Sequence, residues 1–155
     1  MTLEEAIAEV TRSAQTASFP ELTPQQVLDL VTKNQRATVW TAETAYKIGD
    51  KVQPLSPNGH FYKCVEIGFS AATEPVWTRR YADTVRDGVT LVWEECGEDL
   101  DGNLYNTRNA IHDAWMLKAS MSAKDFDVSI DQQKWNRSQI YEHCLEMARA
   151  YSPFD

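Results

Sequence analysis

The feature that most constrains this chain is an abrupt change of pattern in its middle. From Val39 to Gly97 the helix formers thin out, and Gly, Pro and aromatic side chains punctuate short runs of β-formers. Five of the six glycines, Gly49, Gly59, Gly68, Gly88 and the closing Gly97, fall in this stretch. Asn58-Gly59 lies between Val52 and the run Phe61-Tyr62-Lys63-Cys64-Val65, and Asp87-Gly88 between Thr84-Val85 and Val89-Thr90-Leu91-Val92-Trp93. Such dipeptides tolerate the positive φ that tight hairpin turns demand, so each predicts an antiparallel pair. A module of roughly 60 residues buries only about 60% of its unfolded surface, so it is expected to lean on neighbouring structure.

The flanks follow a different rule. From Thr2 to about Ala17, Leu3, Ile7 and Val10 recur at helical spacing, and Thr2 with Glu5 has the pattern of a capping box. Phe19-Pro20 breaks that helix. A second begins at Thr23, with Pro24 in the favoured first position and Gln26 completing another capping box, and ends near Asn34. After the acidic stretch Glu98–Gly102, the spacing of Leu104, Arg108, Ile111, Trp115 and Lys118 predicts a third helix from about Asn103 to Lys124. Asp127–Asp131 reads as a short extended piece or a turn. A last helix is predicted from about Asn136 to Ala150, with Ile140, Tyr141, Cys144, Leu145 and Ala148 inward, and Ser152–Asp155 as a free tail. The expected class is α+β. Residues 1–38 and 98–155 make a helical domain, and a small antiparallel β-module, 39–97, is inserted between the second and third helices.

Composition bounds the function. Hydrophobic residues at 43% and charged residues at 25% are what a folded globular chain carries. The net charge of −8 argues against a surface made to neutralise phosphates, because sequence-independent nucleic-acid binding runs on clustered Lys and Arg. It suits solubility, and it also suits a wall past which DNA slides without sticking. The N-terminus lacks a basic region followed by an apolar stretch, and no apolar run approaches the roughly 20 residues that span a bilayer. The expectation is a soluble protein made in a cytoplasm. Cys64, Cys96 and Cys144 lack paired-motif spacing; Cys64 and Cys96 have the placement to meet in the β-module, though reduced core thiols are the plainer reading.

No constellation for catalysis stands out. His60, His112 and His143 fall on a turn and on two separate helices, without the spacing of a metal site. His143 and Cys144 are sequence neighbours, so they lie on different faces of a helix and make no local nucleophile pair. Nucleophile-elbow, phosphate-loop and dinucleotide-binding glycine patterns are absent. The sequence therefore predicts no enzyme, no cofactor and no metal.

What remains is aromatic. Three of the five tryptophans and three of the six tyrosines lie in the β-module. Two roles are open to these rings. They can fill the centre of a fold too small to enclose much else, or stay exposed and stack on a sugar or a protein partner. Trp40, Tyr46, Trp77 and Trp93 are the candidates for stacking. Trp77, beside Pro75 and just before Arg79-Arg80, is the one most expected to be exposed.

The joint pattern W-x₃-T-A-Y-x₂-G-D-x-V from Trp40, N-G-x₂-Y-x-C from Asn58, E-P-x-W ending at Trp77 and D-G-x₄-W ending at Trp93 resembles a short β-module recurrent in tailed-phage structural proteins. That module is itself similar to the chitin-binding modules of chitinases. The helix order, the chain length and the stretch from Ser138-Gln139 to Tyr151 resemble the head-to-tail adaptor proteins of tailed phages. The resemblance implies a ring subunit, usually of a dodecamer, that joins the portal to a tail, stopper or terminator protein and extends the DNA channel. It implies a place at the neck of a virion after synthesis in the host cytoplasm, with DNA passing through the lumen without specific binding. Trp115, Trp135, Tyr151 and Phe154 are then candidates for the ring or portal interface. The alternative is a carbohydrate- or receptor-binding module of a tail or neck protein.

Overall fold

The computed structural model describes residues 1–98, 103–124 and 133–152; for Glu98, Lys124 and residues 133–137 it describes the backbone alone. The extended piece or turn expected at Asp127–Asp131 and part of the acidic stretch lie outside the described residues. Among the described residues, four helices, a five-stranded mixed sheet and a two-stranded sheet make the protein α+β. The chain divides into two compact units, Met1–Gln35 with Tyr105–Asp155, and Arg36–Leu104.

The helical unit starts with α1 (Leu3–Ser13) and α2 (Pro24–Lys33). Both carry the reciprocal cap that the sequence announces. Thr2 Oγ1 accepts from the Glu5 N–H while the Glu5 carboxylate accepts from the Thr2 N–H, and Thr23 and Gln26 repeat the exchange. α1 stops at Ser13, earlier than expected, and Gln15 then adopts a positive φ. The third helix, α3 (Thr107–Lys124), begins later than expected because Asn106 Oδ1 accepts the N–H of Asn109 as a cap. The fourth, α4 (Gln133–Ala150), begins earlier than expected. Ala6, Val10 and Ala14 of α1 and its exit, Val27 and Val31 of α2, Ala110, Ile111, Ala114 and Trp115 of α3, and Cys144 and Ala148 of α4 form one core.

Lys118 belongs to that core as well, at 1% exposure. Its ammonium donates to the Ala14 carbonyl at 3.1 Å, the Gln15 carbonyl at 2.8 Å and Ser18 Oγ at 3.1 Å, and lies 4.6 Å from the centre of the Trp115 ring. A cation here satisfies the Ala14 carbonyl where α1 ends, joins Ser18 as a donor to the Gln15 carbonyl, and meets the negative end of the helix dipole. Burial pushes its pKa down, with the Cys144 thiol opposing.

The β unit holds β1 (Thr38–Val39), β2 (Ala45–Tyr46), β3 (Lys51–Gln53), β4 (His60–Glu66), β5 (Gly68–Phe69), β6 (Thr84–Asp87) and β7 (Leu91–Glu98). The large sheet runs β1-β3-β4-β7-β6, and β2 pairs with β5. The hairpin turns predict a purely antiparallel module, and this is corrected: the large sheet is mixed. β1 pairs in parallel with β3, because the chain crosses over through β2 before returning beside β1. The Asp87-Gly88 turn is present, with Gly88 at φ +66, Asp87 opposite Leu91 and the strand starting at Leu91 rather than Val89. Asn58-Gly59 ends a longer β3–β4 connection rather than forming a two-residue turn. Gly68 is fixed by close approach: a Cβ there would stand 2.4 Å from Thr90 Oγ1 and 2.6 Å from the Leu91 amide nitrogen. That absence of a side chain lets the two-stranded sheet lie against β7.

Candidate functional site

The aromatic signature of the β unit closes on itself. Trp40, Tyr46 and Trp93 are buried with Val52, Tyr62, Cys64 and Leu91. Asp87, from the turn, is buried beneath them. Its Oδ2 accepts the indole N–H of Trp40 at 2.7 Å and of Trp93 at 2.9 Å, while Oδ1 accepts the Ala71 amide at 2.8 Å. One carboxylate thus satisfies two indoles that a small core could not otherwise bury. Tyr46 meets Trp93 edge-on at 4.8 Å, and its hydroxyl accepts the Thr41 amide. As exposed stacking platforms Trp40, Tyr46 and Trp93 are therefore corrected: they are core.

Trp77 is corrected too, since it packs partly buried against that core instead of standing out. Its ring lies 4.3 Å from Tyr62, and its indole donates to Glu74 Oε1 at 2.8 Å. Its neighbours are the exposed residues. Val76 is 92% exposed and Tyr81 79%, with Arg79 and Arg80 exposed between them. The backbone beneath this tip is pinned at many points. Tyr62 donates its hydroxyl to the Thr78 carbonyl at 2.6 Å, Thr78 Oγ1 donates to Asp83, and Glu95 receives the Ala82 amide and gives its own to the Asp83 carbonyl. Ala82 holds a positive φ of 61°. Burial raises the pKa of Tyr62, the Asn58 hydrogen bond opposes this, and Glu95 adds to it, so the phenol remains a donor. The result is a preorganised loop that presents two guanidinium groups and a phenol. Among the described residues, no hydrogen bond or ion pair engages either guanidinium.

A second exposed feature is the outer face of the two-stranded sheet. Tyr46 and Gly68 face the core, so Ile67 and Phe69 point the other way, and Phe69 is 68% exposed. Val89 stands at the neighbouring turn, also exposed. Deeper in the unit, Glu95 is buried, with Oε1 held by His60 Nδ1 at 2.9 Å and by the Gly97 amide, while Oε2 has no partner among the described residues. His60 has one ring nitrogen engaged in this pair. The three cysteines are free, and Cys64 and Cys96 each turn the thiol to a separate backbone carbonyl, of Glu66 and of Phe61.

In the helical unit Trp115 is fully buried, with His143 edge-on to its ring at 5.7 Å, and is corrected from interface candidate to core. Tyr151 is half-buried and packs against the same core. Trp135 lies within α4, but its side chain is outside the described residues, as is the whole of Phe154. An open cleft of about 430 Å³ is lined by Ser18, Phe19, Trp115, Gln139, His143 and Cys144, among others. Among the described residues no group of three or more His, Cys, Asp or Glu is placed to hold a metal ion, and no helix is long and apolar enough to cross a membrane.

Comparison with protein-family models, with curated proteins and with solved structures finds no match to this chain.

The arrangement has the marks of a contact surface. Rigid backbone carries exposed Arg and Tyr, side chains that recur at energetic centres of protein interfaces. The sequence signal for it is local. Arg79-Arg80-Tyr81 is a dibasic and aromatic run in a chain of net charge −8.

Proposed function

We propose that this protein is a structural subunit of a tailed-phage virion, a head-to-tail adaptor that joins the portal to the tail through a ring. In this reading the helical unit is the adaptor body and the β unit an insertion between α2 and α3. The observation that carries it is the inward use of the aromatic pattern. With Trp40, Tyr46 and Trp93 filling the β unit's own core, the sugar-stacking alternative loses three of its four platforms. A contact module on a helical frame built from both ends of the chain is what remains.

The charge supports the same reading. A subunit of net charge −8, repeated around a ring, lines a lumen that repels DNA phosphates and lets a genome slide. The partners of this proposal are further copies of the chain, the portal above and a stopper or terminator protein below. Ring contacts of this kind are heterologous, so two different surfaces of each copy must match.

The test is to incubate the purified chain with assembled portal and image the product by electron microscopy. An added ring on one face of the portal is expected. Portal that stays bare, with a chain that stays monomeric at high concentration, overturns the proposal.

A further inference from the structure

We infer that the loop Val76–Tyr81 is the contact by which one copy of this chain grips the next, with Arg79 and Arg80 engaging Glu142 and Glu146 of a second copy's α4. The inference deepens the adaptor reading by naming a contact for it, and rests on that reading for its place in a ring.

The first half of the argument is the loop. Trp77 and Thr78 tie its base to Glu74, Tyr62 and Asp83. Arg80 accepts the Asp83 amide through its carbonyl and donates its own amide to Thr78 Oγ1 at 3.3 Å. The main chain is thereby held while the side chains of Val76, Arg79, Arg80 and Tyr81 reach solvent. Binding through such a loop loses little backbone freedom, and a planar guanidinium matches a carboxylate in a two-pronged hydrogen bond. The surface asks for a partner with closely spaced carboxylates.

The second half is α4. Glu142 and Glu146 are exposed and four residues apart, which stacks them on one helix face with about 5–6 Å between Cβ atoms. Like charges at that spacing repel. Glu146 also lies next to the last turn of the helix, where the dipole disfavours anions, while Glu4 and Glu5 sit at the start of α1, where it favours them. No hydrogen bond or ion pair neutralises Glu142 or Glu146 among the described residues. Two adjacent arginines on one copy supply the charge that this pair lacks. Because the patches differ, the contact is heterologous and repeats from copy to copy.

The experiment is sedimentation velocity on the full chain at low salt and high protein concentration. Four samples are compared: wild type, R79E/R80E, E142K/E146K, and an equimolar mixture of the two variants. Circular dichroism confirms each fold, since all four substituted side chains are exposed. Wild type is expected to self-associate, each variant to weaken association about tenfold or more, and the mixture to recover it. High salt is expected to weaken the wild type in parallel.

Wild type that stays monomeric, variants that associate as wild type does, or a mixture that shows no recovery each overturn the inference. So does binding of a fluorescent DNA duplex through Arg79 and Arg80 with self-association unchanged, which would assign the loop to phosphates. None of these results touches ring formation on the portal, so this contact and the adaptor reading fail separately.

Discussion

The carboxylate of Asp87 accepts the indole N–H of Trp40 at 2.7 Å, across 47 residues of sequence. With Trp93 and the Ala71 amide on the same side chain, this bond links the start of the β unit to its last hairpin. It explains why a Trp and an Asp-Gly turn belong to one pattern.

Replacing Asp87 with Ala leaves two buried indole donors and an amide unsatisfied. Each costs about 1–3 kcal/mol when orphaned, so D87A is expected to destabilise the β unit by about 3 kcal/mol or more. Urea unfolding followed by tryptophan fluorescence measures this. A loss below about 1 kcal/mol would mean that the carboxylate is not the centre of this core.

Gly68→Ala is expected to be nearly as harmful for a steric reason. Its new methyl group meets the Leu91 backbone at 2.6 Å, and backbone does not yield as a flexible side chain does. Overpacking of this kind costs about 1–3 kcal/mol, read as a drop in unfolding midpoint with the slope unchanged.

Lys118 gives the helical unit an unusual pH dependence. Burial lowers its folded pKa below the ordinary 10.5, so between the two values the unfolded chain binds more protons. The cost of the buried charge is present in full below the folded pKa and is relieved as pH rises toward 10.5. K118M removes this slope. The stability of wild type relative to K118M is therefore expected to increase through the alkaline range, measured by urea titrations at stepped pH. At neutral pH K118M is expected to lose about 2 kcal/mol, because the Ala14 carbonyl loses its donor while the Gln15 carbonyl keeps only Ser18.

All three thiols are raised in pKa, each first by burial. Folding thus favours the protonated thiols, and this contribution fades as pH rises past their ordinary value of 9.0. At pH 8 the native protein is expected to react slowly with iodoacetamide, Cys96 ahead of buried Cys64 and Cys144. In urea all three should react together at the rate of a free thiol. Mass spectrometry of timed samples reads the order.

The helices were legible because their signals are local. Thr2 with Glu5, and Thr23-Pro24 with Gln26, write each cap within one turn. The Asp87-Gly88 turn was legible for the same reason. The parallel β1–β3 pair was not, since nothing at Thr38 announces that its partner lies beyond β2. Side-chain roles were harder still. A Trp that caps a core and a Trp that stacks on a ligand look alike in sequence, and only Asp87 beneath Trp40 and Trp93 separates the two. Trp77 misled through its neighbours. The dipeptide Arg79-Arg80 suggested an exposed ring, when the exposed side chains are the arginines themselves. Lys118 sits at a core position on the helical repeat, and its fate depended on the end of α1 lying above it, a distance of about 100 residues along the chain.

Electron microscopy of intact particles, with this protein located by a bound antibody or by density, tests the central claim most directly. The account predicts a ring of copies between portal and tail at the particle neck. Density for the protein anywhere else on the particle, or its absence from purified virions, would contradict it.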